Sequence, residues 1–224
     1  MIGDWQLQIV RQGEEQEPVV VIDRFAADPD RFIGNAEFLA FQPIGPHYPG
    51  IRAVVPDRLI APFIEALAPV ITEVFGLGAP SVLDAFYSIV TTAPADLGPI
   101  QRLPHFDGVE PGRLALLHYL SRDDRGGTAF YRHRSTGYET VSAERLSDYR
   151  QRLQRDIDRE GLPGPAYIAG DTPIFERIAV HDGRFNRAIL YRSNTLHCAL
   201  IPDDMALVPD PMRGRFTVNT FLMA

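Results

Sequence analysis

The sequence predicts a mostly β protein with flanking helices, built as an antiparallel sandwich or barrel, and three observations predict it. From residue 82 onward the chain breaks into short segments rich in Val, Ile, Phe, Tyr and Leu, separated by turn residues at fairly even spacing. Before that point helical periodicity dominates. Only one amphipathic helix interrupts the later series, and neither an internal repeat nor a low-complexity tract competes with it. With 224 residues, 45% of them hydrophobic, the chain can bury one substantial core. A single domain over 1–224 is therefore expected: an N-terminal strand and supporting helices over 1–81, and a β core over 82–224 with a helical insertion at 142–160.

Each element has a local reason. "EPVVVIDRF" (17–25) reads as a strand because Val19, Val20, Val21 and Ile22 form a short β-branched run closed by polar residues. "DPDRFIGNAEFLAF" reads as a helix with Asp28 as cap and Pro29 at the first helical position. In "PDRLIAPFIEALAPVITEVFG", Leu59, Ile60, Phe63, Ile64, Leu67, Ile71, Val74 and Phe75 fall on one wide stripe, Pro69 is expected to kink the helix and Gly76 to stop it. Seven strand-like segments follow: "SVLDAFYSIVTT", "IQRLPHFD", "RLALLHYLS", "GGTAFYRH", "TPIFERIAV", "FNRAILYRS" and "RFTVNTFLM". Between them, "SAERLSDYRQRLQRDIDREG" places Leu146, Tyr149, Leu153 and Ile157 on a narrow apolar stripe, with Ser142 as the expected cap and Gly161 as the end.

Composition excludes several function classes. The formal net charge is -7 and no basic run reaches five residues, which argues against a phosphate-tracking surface and so against nucleic acid as a partner. All 22 basic residues are arginine. Schiff-base chemistry, a P-loop lysine and a lysine general base are thereby removed, and any anion must be gripped by Arg, His, hydroxyls or backbone amides. Cys198 is the sole cysteine, so neither an intrachain disulfide nor a thiolate zinc cage is available. The opening "MIGDWQLQIVRQGEEQ" lacks a basic stretch followed by an apolar one, and no run of about 18 apolar residues follows, so a cytoplasmic location without a membrane partner is the expectation.

The chemistry concentrates at "PHFDG" (104–108). Residues i and i+2 of an extended chain point to one face, so His105 and Asp107 can reach a single ion. A neutral imidazole with a carboxylate suits a borderline divalent metal, but a third protein ligand must come from elsewhere. His47, His118, His133, His181 and His197 are the candidates. His118 sits inside "LALLHYL", His133 lies between two arginines that oppose a cation, and His181 opens the turn signal "HDG". His197 is the best choice, following the strand-like "RAILYRSNT" and preceding "CALIP". Such a distant third ligand fits the 2-His-1-carboxylate triad of non-haem iron oxygenases. Near the C-terminus, "RGRFTVNTF" places Arg215, Thr217 and Asn219 on one extended face, where a guanidinium and a hydroxyl can receive a carboxylate.

Taken in order, the His-x-Asp pair, a strand ending Tyr-Leu-Ser, a Gly-Gly-Thr hairpin (Gly126, Gly127, Thr128), a distal His and Arg-Phe-Thr resemble the Fe(II)- and 2-oxoglutarate-dependent dioxygenase superfamily, in particular its prolyl-hydroxylase-like branch. The resemblance covers about residues 85 to 222, and "VVVIDRF" followed by helices is similar to the lead-in of that branch. It implies a double-stranded β-helix (jelly-roll, cupin-like) core. It also implies that His105, Asp107 and His197 bind Fe(II), and that Arg215 pairs with the distal carboxylate of 2-oxoglutarate, with Tyr119 assisting and Thr217 supplying the hydroxyl. The sequence departs from the pattern in two places. His197 and Arg215 stand 18 apart, with "PDDMALVPDP" as the apparent insertion, and the 142–160 helix lengthens the path between the histidines. Arg213 therefore stays open as an alternative anchor to Arg215.

The implied activity is hydroxylation of an unidentified small-molecule or peptide substrate, with 2-oxoglutarate as co-substrate and succinate and CO2 released. Asp107 supports hydroxylation because halogenating relatives replace that carboxylate with a small residue. "PHYPGIRAVVP" (46–56), with His47, Tyr48 and Arg52, reads either as an ordinary connection or as a loop bordering the site, where Arg52 could receive an acidic group. Cys198 reads as a buried filler. Two other functions stay open: a catalytically silent cupin-like metal-binding or regulatory module, and a metal-dependent isomerase or hydrolase on the same ligands. The oligomeric state is not legible.

Overall fold

The computed structural model describes residues 2–122 and 126–224. Among these residues ten strands and three α-helices run in the order β1 (Gln6–Gln12), β2 (Glu17–Asp23), α1 (Asp30–Ala36), β3 (Gly50–Val54), α2 (Asp57–Phe75), β4 (Ser81–Val90), β5 (Arg113–Tyr119), β6 (Gly127–His133), α3 (Leu146–Glu160), β7 (Phe175–Asp182), β8 (Ala188–Arg192), β9 (His197–Leu200) and β10 (Arg215–Met223). The larger sheet has the order β1-β2-β8-β5-β10-β4-β3 and the smaller one β7-β6-β9. Every pairing between these strands is antiparallel. Together the two sheets make the double-stranded β-helix, or jelly-roll, core of the cupin-like class. Among the described residues no helix is long and apolar enough to cross a membrane.

Three apolar clusters explain the layering. The run Val19–Ile22 is buried throughout because β2 is an interior strand covered on both faces. Val20 and Ile22 join Phe32, Ile33 and the buried stripe of α2 in a core beneath the helices, while Val19 and Val21 join Leu117, Tyr119, Phe130, Ile189 and Tyr191 between the sheets. The third cluster packs α3, through Tyr149, against Tyr131, Phe175 and Leu196 of the smaller sheet and its flanks. Strand alternation is what sorts β5: Leu114 and Leu116 face the helices, Ala115, Leu117 and Tyr119 the intersheet space.

Several expectations are corrected. The Asp28 cap is not made; Pro29 precedes the first turn of α1 and no side chain caps it. Ser142 does not cap α3, which begins at Leu146 after a turn and also lacks a side-chain cap. α2 ends as expected on Gly76, left-handed at φ 66, and accommodates both Pro62 and Pro69. Strands β1 and β3 are not anticipated by the sequence pattern. Both are edges of the larger sheet, and β1 is mostly exposed, so neither shows the apolar run that marks an interior strand. The segment 46–56 thus contributes a strand rather than only a loop.

Candidate metal centre

His105 and His197 face each other across one antiparallel bridge. His105 N–H donates to the His197 carbonyl and His197 N–H to the His105 carbonyl, both at 2.8 Å. This exchange puts the two residues directly opposite each other, with their side chains on the same face. Two positions on, Asp107 N–H donates to Ser193 O at 2.7 Å, so "PHFDG" runs extended beside the turn that leads into β9 and Asp107 returns to the His105 face. His105 Nε2 lies 3.7 Å from Asp107 Oδ1, and His197 Nε2 lies 3.4 Å from Asp107 Oδ2. Each residue offers a ligand atom within 4.8 Å of the others, a group able to hold a metal ion.

The surroundings fit a divalent cation. His197 Nδ1 sits 2.9 Å from Thr195 O, an acceptor, so Nδ1 carries the proton and Nε2 presents its lone pair toward Asp107. Burial, then the neighbouring His197, holds the His105 imidazole down to about 4, against the pull of Asp107 in the other direction. It is therefore neutral at physiological pH, the form that ligates. The accessible part of its side chain, 44%, belongs to a cavity wall. Two imidazoles and one carboxylate are the donor set of a non-haem iron site.

That cavity, of about 550 Å³, lies against both sheets, with α3 and the segment 47–52 along its walls. Arg215, at the start of β10, lines it while only 4% exposed. Its Nη2 donates to Gly127 O at 2.9 Å and its Cζ lies 6.0 Å from the centre of the Tyr119 ring. Among the described residues no carboxylate lies within ion-pairing distance of Arg215. A guanidinium so desolvated and unpaired is costly unless an anion arrives. Arg213, by contrast, is exposed in the turn before β10, so the geometry separates the two arginines.

Tyr119 and Thr217 stand opposite each other in the β5–β10 ladder, but neither borders the cavity. The Tyr119 hydroxyl shares a 2.7 Å hydrogen bond with Thr128 Oγ1, and Thr217 Oγ1 donates to Asn219 Oδ1 at 2.6 Å. Both thus support residues that do line it, Thr128 and Asn219. Gly127 explains the Gly-Gly-Thr signal, which opens β6 in the smaller sheet and is not a hairpin with β5: at φ 139 with a Cβ position 2.2 Å from His181 O, only glycine fits.

The rejected histidines have other occupations. His118 bonds Asn186 Oδ1 through Nε2 at 3.0 Å beneath Phe25 and Phe32, His133 lies 3.2 Å from Asp156 Oδ2, and His181 bonds Gln12 at 3.1 Å. Cys198 is buried and its thiol is pushed up to about 12, so it is a filler and not a nucleophile. The sequence does not single out Tyr191. Its ring is fully buried between the sheets and its hydroxyl, lining the cavity, has no hydrogen-bond partner among the described residues. Asp107 and Arg215 both act electrostatically on it. In "RAILYRS" it looks like any strand aromatic.

The sequence model of a family of unknown function, DUF6445, matches residues 3–222. No curated protein matches significantly. Among solved structures, the non-haem alpha ketoglutarate dependent carbocyclase SnoK of nogalamycin biosynthesis superposes at a TM-score of 0.50 with 13% identity, over 93% of this chain and 80% of its own. The epimerase SnoN from the same biosynthesis gives 0.49 at 13% identity, covering 93% and 78%. HygX from Streptomyces hygroscopicus, solved with nickel, 2-oxoglutarate and hygromycin B, gives 0.48 at 12% identity, covering 93% and 84%. At such identity the match to SnoK establishes a shared fold.

Proposed function

From a chain that belongs to the DUF6445 family, and from the cavity just described, we propose a non-haem Fe(II)- and 2-oxoglutarate-dependent oxygenase that hydroxylates its substrate. One observation carries the reading: a His-Asp-His ligand set and the buried Arg215 guanidinium, which among the described residues has no carboxylate within ion-pairing distance, line the same cavity. A single molecule with a chelating end and an anionic tail satisfies both, and 2-oxoglutarate is such a molecule. SnoK, whose fold this chain shares, is itself a non-haem, alpha ketoglutarate dependent enzyme.

His105, Asp107 and His197 would hold the ion, and with 2-oxoglutarate it supplies oxidation of a substrate C–H bond by dioxygen, releasing succinate and CO2. The protein's own part is placement. Thr195 O fixes the His197 tautomer, and Asp107 N–H to Ser193 O fixes the carboxylate strand. Arg215 receives the distal carboxylate, held in position by Gly127 O beneath it and the Tyr119 ring beside it. The Tyr191 hydroxyl donates to the co-substrate between the two ends. Leu117 and Phe221 line the cavity with apolar surface that limits water near the reacting atoms.

Succinate formation from 2-oxoglutarate by the Fe(II)-loaded protein, with anaerobic ferrous titration alongside, tests the proposal. One equivalent of iron should bind, slow succinate formation should appear without substrate, and His197→Ala should abolish both. Iron uptake without succinate would return the protein to a metal-binding module. Turnover of an ester or an epimerisable substrate without need of 2-oxoglutarate or Arg215 would make it a hydrolase or isomerase.

A further inference from the structure

Arg52 is the second guanidinium of this cavity that has no carboxylate within ion-pairing distance among the described residues. Its backbone is held on both sides in β3: Arg52 N–H donates to Gln42 O at 2.9 Å, Gln42 N–H to Arg52 O at 3.0 Å, and Ser88 of β4 is its ladder partner on the other side. Its Cζ lies 4.1 Å from the centre of the Tyr48 ring and 5.3 Å from that of Phe86, so the planar head is gripped between two aromatic faces. Aromatic stacking fixes a guanidinium in direction while leaving its N–H edge unused. Among the described residues that edge meets no carboxylate within ion-pairing distance, and Nε is buried with no hydrogen-bond partner. The side chain lines the same cavity as His105, Asp107 and His197.

Charge bookkeeping on the loaded site identifies what is missing. A ferrous ion and dianionic 2-oxoglutarate cancel, which leaves one carboxylate, Asp107, against two buried or half-buried guanidiniums, Arg215 and Arg52. With 2-oxoglutarate on Arg215, one positive charge is left over at the Arg52 end of a cavity whose other cation, Arg150, is exposed on α3. Leu153, Ile168 and Phe106 supply apolar wall. Resting on the oxygenase reading, we infer that Arg52 is a specificity-determining residue for the primary substrate, which carries an anionic oxo-acid group, carboxylate or phosphate, next to an apolar body. The substrate's anion docks on the free N–H edge of Arg52 and its apolar part lies against Phe106, Leu153 and Ile168. The C–H bond to be oxidised is thereby set at a fixed reach from the ligand set.

The test is calorimetry on the anaerobic protein loaded with Fe(II) and saturating 2-oxoglutarate, titrated with phenylacetate, phenyl phosphate and the uncharged phenylacetamide. Wild type should bind at least one of the anions ten-fold or more tighter than the amide, the tighter anion naming the oxo-acid class. Arg52→Gln should erase that preference and Arg52→Lys should keep part of it, with 2-oxoglutarate affinity within two-fold of wild type in both and unfolding midpoints checked alongside. An unchanged preference in Arg52→Gln, or no anion preference in wild type, overturns the inference. So does a large loss of 2-oxoglutarate affinity in Arg52→Gln, which would assign Arg52 to the co-substrate. Failure of wild type to bind 2-oxoglutarate at all would instead overturn the oxygenase reading beneath it.

Discussion

Arg215 and Tyr191 both hold polar atoms in the interior without an internal counterpart, and that makes their contributions separable from folding. In most proteins truncating a buried charged residue leaves its partner stranded, which is the larger part of the penalty. Here Arg215 has one neutral acceptor, Gly127 O, and Tyr191 OH has none among the described residues. Arg215→Met is therefore expected to leave the metal-free unfolding midpoint unchanged within about 3 °C while weakening 2-oxoglutarate on the order of 100-fold, the effect of losing roughly 3 kcal/mol of charge-assisted bonding. Tyr191→Phe should follow the same pattern, with a loss nearer 1 kcal/mol. Calorimetry and thermal unfolding on the same samples check both; destabilisation without any loss of 2-oxoglutarate affinity would show these groups serve the fold. His118 makes the opposite case, a residue that serves only the fold. Burial, partly countered by its bond to Asn186, holds its imidazole down to about 4 from an ordinary 6.5. The folded state thus resists the proton that the unfolded chain accepts, so stability is intact above about pH 6.5 and is lost as pH falls toward 4. This one group contributes on the order of 3 kcal/mol to that loss. His118→Leu should flatten the midpoint-versus-pH curve in that window, although His105, depressed for the same reason, keeps some slope.

At the scale of elements, the smaller sheet and its added bridge build the metal end of the site, and α3 closes over it. Tyr149, Arg150 and Leu153 of α3 line the cavity, and the helix is pinned at its far end by Asp156, whose side chain is 5% exposed. Asp156 accepts from the Ser135 hydroxyl and from Arg159 at 2.7 Å, and lies 3.2 Å from His133 Nε2. Asp156→Ala removes the carboxylate beside the buried His133 Nε2, together with the acceptor of the exposed Ser135 hydroxyl, so it should cost about 1–3 kcal/mol, read as a lower urea midpoint at unchanged slope. The insertion that blurs the family pattern is in this way part of the cavity wall. Much of this was legible in the chain. The period-2 spacing of His105 and Asp107 and the punctuated apolar runs are local signals, and the structure keeps them except in "IQRLPHFD", where Pro99–Arg102 forms a 3-10 helix and only the isolated bridge at His105 is strand-like. The pairing of His105 with His197 could be proposed only by eliminating the other histidines, because it is made by sheet register across 92 residues that no local pattern encodes. β1 and β3 stayed hidden because edge strands need no apolar run, and Asp28 and Ser142 misled because capping residues also start turns.

Seen as a whole molecule, the cavity joins two sheets that also meet through an apolar layer and through the Tyr119–Thr128 and Gln12–His181 hydrogen bonds. His105, Asp107 and His197 belong to the smaller sheet and its bridge, whereas Arg215 begins β10 of the larger one and donates across the gap to Gly127 O. A metal alone would tighten one side of the molecule. A co-substrate that chelates the metal and grips Arg215 ties both sheets together, so its binding energy is set against opening of the whole core. Ligand at 100-fold its dissociation constant adds about 2.7 kcal/mol to stability. For a chain of this size each kcal/mol shifts the midpoint by roughly 2–4 °C. Nickel in place of iron, to avoid turnover, should raise the midpoint by only a few degrees. Nickel with 2-oxoglutarate should raise it by about 5–10 °C further, 2-oxoglutarate without metal should do little, and a chelator should reverse the whole shift. Scanning calorimetry of the four states reads this directly. A 2-oxoglutarate shift of equal size with and without metal, or one that survives in Arg215→Met, would mean that the ion and the guanidinium do not share a ligand, and the link between the two sheets would have to be sought elsewhere.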